Sequence, residues 1–78
     1  MDTGHYRTSD MHFAAYLKVA GCALVDTVRE SNKVIFLFED QGPTVMRDLK
    51  RDYFSGAAKV SALDLVQAIK TMKQLTHM

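Results

Sequence analysis

The sequence has no tryptophan, one cysteine, one proline and four glycines among its 78 residues. The single cysteine, Cys22, cannot close an internal disulfide, which excludes a stapled secreted scaffold and suits a reducing, cytoplasmic setting. An excess of one charge is also missing. With 10 Lys+Arg against 9 Asp+Glu the formal net charge is +1, so the chain lacks the broad positive field of a bulk nucleic-acid or anionic-membrane binder. No long apolar run is present: Val34 to Phe38 falls far short of the roughly 20 residues that cross a bilayer, and no membrane association is expected. The opening Met1-Asp2-Thr3-Gly4-His5 carries no basic stretch followed by an apolar one, so no secretory leader is expected there. A chain this short buries only about 60% of its unfolded surface, which leaves one modest core and little room for a deep catalytic cavity.

What is present is a fold pattern, with hydrophobic residues at 47% and a few breakers spaced between periodic segments. Residues 1–5 read as an arm, 6–75 as one domain and 76–78 as a frayed end. Tyr6-Arg7-Thr8 is extended. Ser9-Asp10 then offers a hydroxyl or carboxylate to the free amides of a helix from Met11 to Ala20, with Phe13, Leu17 and Ala20 as its core stripe, Tyr16 beside it, and His12 and Lys18 outward. Gly21 ends it in the left-handed conformation that glycine adopts without steric cost.

Cys22 to Arg29 and Lys33 to Glu39 are rich in β-branched and aromatic residues and read as a hairpin turning at Ser31-Asn32. A two-residue turn sets Glu30 opposite Lys33, Val28 opposite Ile35, Asp26 opposite Leu37 and Val25 opposite Phe38. One face then holds Val25, Thr27, Val34, Phe36 and Phe38, the side expected under the helices; the other holds Leu24, Val28, Ile35 and Leu37 among Asp26, Glu30, Lys33 and Glu39. The second face is more apolar than solvent requires. Another element of the chain, a second copy or a partner is expected to cover it. Pro43 opens a second helix to about Ser55, with Val45, Met46, Leu49 and Tyr53 inward and Gly56 past its end. Ser61 and Asp64 cap a third helix from Ala62 to about Leu75, with Ala62, Leu65, Val66, Ile69 and Met72 inward. The architecture is α+β: helix, β-hairpin, helix, helix, with Tyr6–Thr8 and Ala57–Val60 available as short extra strands.

The order of motifs carries a resemblance. Tyr6-Arg7-Thr8-Ser9-Asp10, Ala14-Ala15-Tyr16-Leu17 running to Gly21, Val34-Ile35-Phe36-Leu37-Phe38-Glu39-Asp40, Tyr53-Phe54-Ser55-Gly56 and a Leu-rich, Lys-containing closing helix resemble domain of unknown function family 5659 over residues 6–75. The resemblance implies a small stand-alone α+β domain, prokaryotic and phage-associated, with no assigned reaction. A small regulator or inhibitor encoded by phage or mobile DNA would fit it.

Chemistry-bearing residues are sparse. His5, Asp10 and His12 are close in sequence, but positions i and i+2 do not share a helix face, and neither a Cys pair nor an HExxH spacing supplies a metal site; His77 stands alone in the tail. Cys22, beside Gly21, Ala23 and Leu24, has no electropositive setting to make a thiolate. Asp26, Glu39 and Asp40 read as strand and turn polar groups before they read as an acid/base pair. No phosphate-cradling glycine loop or nucleophile elbow occurs, so no enzyme, cofactor, metal or small-molecule substrate is expected.

Two surfaces remain. Leu24, Val28, Ile35 and Leu37 on the second hairpin face are the expected contacts of a protein partner or of a homodimer. Arg47, Lys50, Arg51 and Phe54, at i, i+3, i+4 and i+7 on the second helix, form a cationic stripe ending in an aromatic, the alternative surface for nucleic acid. A plainer reading of that stripe is a solvated helix face in which Asp48 pairs with Arg51.

Overall fold

The computed structural model describes residues 5–56 and 59–76. In chain order the elements are β1 (His5–Thr8), α1 (Met11–Val19), β2 (Leu24–Glu30), β3 (Lys33–Glu39), α2 (Pro43–Ser55) and α3 (Ala62–Thr76). The class is α+β, and the helix, hairpin, helix, helix order stands. The extended segment before α1 does widen the sheet: β1 pairs antiparallel with β3, giving the strand order β1-β3-β2. His5, placed by the sequence in an arm, is therefore a strand residue opposite Glu39. Lys59 and Val60 form no strand, while Ala57 and Ala58 lie outside the described residues. Thr76 is the last residue of α3, and its carbonyl accepts from the Arg29 guanidinium at 3.1 Å; His77 and Met78 lie outside the described residues.

Local chemistry sets the helix ends. The Asp10 carboxylate accepts from the amides of His12 and Phe13, each at 3.0 Å, and satisfies two free donors of α1. Gly56 closes α2 at φ 78°, where a Cβ would be strained. Ser61 Oγ accepts from the Asp64 amide at 3.4 Å.

The hairpin register holds from Glu30 opposite Lys33 through Val28 opposite Ile35 to Asp26 opposite Leu37. It then departs from simple alternation. A bulge at Val25 sets Leu24, rather than Val25, opposite Phe38. The extra residue exchanges the two faces at this end: Leu24 packs on the core, and Val25 is left 48% exposed.

The core lies between one sheet face and the helices. Phe36 and Phe38 of β3 are fully covered by Phe13, Ala14, Ala15, Tyr16 and Leu17 of α1, Met46 of α2, and Ala68 and Met72 of α3. Five consecutive buried residues exceed any single helix stripe, because α1 is enclosed by the sheet, α2 and α3 at once. Ala14 and Ala15 let those neighbours approach, whereas Ala20, expected in the stripe, is exposed. The inward face of α2 is Met46, Leu49 and Tyr53, and Val45 is 46% exposed. α3 turns inward along Leu65, Ala68, Ile69, Met72 and Leu75, leaving Ala62 and Val66 in solvent. The molecule is a flattened two-layer body with extents of 32 × 30 × 18 Å.

Candidate functional site

The sheet face away from the helices is built by strand alternation. On β3 it presents Lys33, Ile35, Leu37 and Glu39, since Val34, Phe36 and Phe38 face the core. The register adds Asp26, Val28 and Glu30 from β2, and His5 and Arg7 from β1. Val28 is exposed and Ile35 and Leu37 are half-buried, and none of the three joins the core. Leu24 is the exception among the expected contacts: the bulge turns it to the other side.

An ion pair that sequence spacing could not announce crosses this face. The Arg7 guanidinium donates to Glu30 Oε2 at 2.6 Å, although β1 and β2 are separated by β3. To meet, the two side chains must pass over Ile35, because Arg7 lies opposite Leu37 and Glu30 opposite Lys33. Both remain about half exposed, at 48% and 52%, so the pair shields the apolar centre without burying it. Arg7 and Glu30 belong to the surface for this reason.

The edges of the sheet behave differently from its face. The Glu39 amide donates to the Ala23 carbonyl at 2.9 Å, so alternation directs the backbone groups of Ile35 and Leu37 toward β2 and those of Phe36 and Phe38 toward β1. On β2 the Thr27 amide consequently points outward. Its neighbour Asp26 accepts from it at 2.8 Å, and this side-chain cap together with the bulge blunts that edge against strand addition.

The cationic stripe lies on one face of α2, where Arg47, Lys50, Arg51 and Phe54 are all exposed. Arg51 is drawn toward its own helix, 3.3 Å from Asp48 and 3.9 Å from Asp52. Arg47 and Lys50 border a shallow hollow of ≈ 300 Å³ shared with Tyr6 and Met46. Phe54 is 62% exposed, yet its ring centre is 6.0 Å from Phe13 and 5.0 Å from Tyr53. It caps an aromatic cluster around Phe13 that also takes in Tyr6, Tyr16 and Tyr53. The cluster joins α1, α2 and β1 into one packed unit.

The remaining chemistry-bearing residues are occupied by structure. Asp10 is committed to its cap, and His12 faces outward from the helix that cap begins. The Asp40 carboxylate accepts from the Gly42 amide at 2.8 Å and shapes the turn into α2. Cys22 is buried, and burial pushes its thiol above the ordinary 9.0, so it is protonated at neutral pH. Burial also raises Tyr6, Tyr16 and Tyr53, with added repulsion from Asp40, Asp52 and Asp10 respectively. Among the described residues no three His, Cys, Asp or Glu side chains converge as metal ligands, and no helix is long and apolar enough to cross a membrane.

The chain belongs to domain of unknown function family 5659 (DUF5659), whose model matches residues 3–77. Neither the curated proteins nor the solved structures yield a match to it.

Proposed function

We propose that this domain is a non-enzymatic interaction module of the cytoplasm that binds a protein partner, or a second copy of itself, through the open face of its sheet. Val28, Ile35 and Leu37 form the apolar centre, and Arg7, Asp26, Glu30, Lys33 and Glu39 the charged surround. The observation that carries this reading is the one-sided placement of the helices: among the described residues all three contribute to the core with Phe36 and Phe38, while the alternating Ile35 and Leu37 stay outside it. An apolar centre ringed by both signs of charge is the usual layout of a protein-binding patch. The blunted β2 edge favours contact through the face over strand addition. A protonated, buried Cys22 accords with a structural thiol in a reducing compartment.

Nucleic-acid binding through Arg47, Lys50, Arg51 and Phe54 is the competing reading. The ion pairs of Arg51 with Asp48 and Asp52 reduce the charge it can offer to phosphate. A three-bait comparison decides between the two. Wild type, the double variant Ile35→Thr/Leu37→Thr and the double variant Arg47→Ala/Arg51→Ala are each tested for a bound protein, including an untagged copy of the chain, and for bound nucleic acid. Threonine keeps the strand propensity while removing aliphatic surface. The expected result is a bound protein retained by the arginine variant and lost by the threonine variant. A salt-sensitive nucleic acid, lost only with the arginines, would overturn the proposal.

A further inference from the structure

Along β3 the open face reads Lys33, Ile35, Leu37, Glu39: a cation, two aliphatic residues and an anion at successive outward positions. This order is self-complementary when reversed. We infer that the occupant of the open face is a second copy of the chain, packed sheet to sheet about a twofold axis that crosses β3 midway between Ile35 and Leu37. The inference rests on reading that face as the interaction surface and goes further by fixing occupant and register.

The axis sets the two β3 strands antiparallel in facing sheets about 10 Å apart, within the aligned range for packed sheets. Ile35 of each copy then meets Leu37 of the other, and Lys33 meets Glu39 at both ends. Such reciprocity is what an isologous interface requires. Lys33 and Glu39 are both exposed, and the long side chains of each suit a meeting across the gap. A twofold axis running along β3 instead would bring Arg7 over Asp26 of the other copy but set Lys33 against Lys33 and Glu39 against Glu39 on the central strand, a like-charge contact at each end. The Arg7–Glu30 pair lies across Ile35 and has to swing toward the rim; half-exposed ion pairs are weakly held, so this is a small obstacle.

Size sets the strength. Two seven-residue strands and the four-residue β1, about 4.8 Å apart and rising about 3.3 Å per residue, present about 290 Å² per copy, less than half of the roughly 800 Å² per partner in a standard stable interface. The dimer is therefore weak and concentration-dependent.

Sedimentation velocity of the full chain from about 10 μM to about 1 mM, the range in which a small interface associates, tests this. The wild type is expected to move from monomer toward dimer across that range. Lys33→Glu alone and Glu39→Lys alone each create like-charge contacts at both ends and are expected to associate at least about tenfold more weakly. Lys33→Glu/Glu39→Lys restores opposite charges and is expected to regain the wild-type behaviour, and an equimolar mixture of the two single variants is expected to form mixed dimers. Circular dichroism confirms that each variant is folded. A wild type that stays monomeric at every concentration, single variants that associate as well as the wild type, or a double variant that fails to recover would each overturn the inference. In the first of these cases a protein captured by wild type and lost with Ile35→Thr/Leu37→Thr would show that the face binds a different protein. Loss of that dependence as well would overturn the open-face reading itself.

Discussion

The two faces of the sheet are made from alternate residues of the same strand, and they do opposite things. On one side Phe36 and Phe38 are covered by all three helices. On the other, Ile35 and Leu37 are flanked by charged Lys33 and Glu39 and stay outside the core that the described residues form. The aromatic side specifies the fold through shape, because large rings against Phe13, Leu17 and Met72 leave few alternative packings. The aliphatic side is flat and ringed by both signs of charge, properties that stabilise a fold little and suit a contact that forms and breaks. The domain thus keeps its stabilising contacts on one side of the strand and the proposed contact surface on the other.

The hardest test of this division is truncation. Phe38→Ala removes a fully buried ring and is expected to cost about 3–5 kcal/mol, a large part of the stability of a small domain. Ile35→Thr on the opposite side is expected to cost about 1 kcal/mol or less. Urea unfolding of both variants measures the contrast, and equal losses would erase the distinction between the faces.

Alkali should act on the helix side, where the raised groups lie. The phenols of Tyr6, Tyr16 and Tyr53 titrate above their ordinary 10.0 in the folded chain, and the Cys22 thiol above 9.0, because burial disfavours their anions. A pKa raised in the folded state means that the unfolded chain loses its protons first. The stabilisation is complete below about pH 9 and falls as pH rises through the thiol and then the phenol range. Urea midpoints are therefore expected to be level from pH 7 to about pH 8.5 and to drop steadily by pH 11. A Cys22→Ala variant separates the first part of the drop from the tyrosine part.

Smaller effects sharpen the boundary between the faces. Leu24→Thr is expected to cost about 1–2 kcal/mol and Val25→Thr no more than about 0.5 kcal/mol, the reverse of what unbroken strand alternation implies. Thermal melts of the pair check the bulge directly. Asp10→Ala removes the α1 cap at a cost of about 1 kcal/mol, and Asp10→Asn, which still accepts a hydrogen bond, should recover most of it. Arg7→Gln is likewise expected to stay within about 1 kcal/mol of wild type, since the Arg7–Glu30 pair is half exposed.

Much of this layout is legible in the residues. Asp10, Gly21 and Gly56 announce helix ends through capping and backbone chemistry that act within a few residues. The turn at Ser31-Asn32 sets the register of the hairpin next to it, and Ser31 accepts the left-handed φ of 52° that a tight turn imposes. The alternation of Val34 to Phe38 separates two faces. Less legible are features set by distant neighbours. Val66 has the period of an inward residue, but the rotation of α3 about its axis is decided by what α1 offers it, and the choice falls on Ala68 and Leu75. Ala14 and Ala15 look unremarkable until a helix must pass between two others and a sheet.

The candidate surface divides in the same way. Val28, Ile35 and Leu37 are identified by strand alternation, whereas Arg7 and Glu30 lie 23 positions apart and become neighbours only when β1 takes the far side of β3. Local chemistry in the sequence determines where helices begin and end, how the hairpin turns and which residues of β3 share a side, because each depends on contacts a few residues apart. The tertiary structure alone decides that a bulge exchanges Leu24 for Val25, that β1 completes the sheet, and that the helices gather on the aromatic side. Those choices depend on how distant segments share one small core, and they leave the aliphatic side of β3 open.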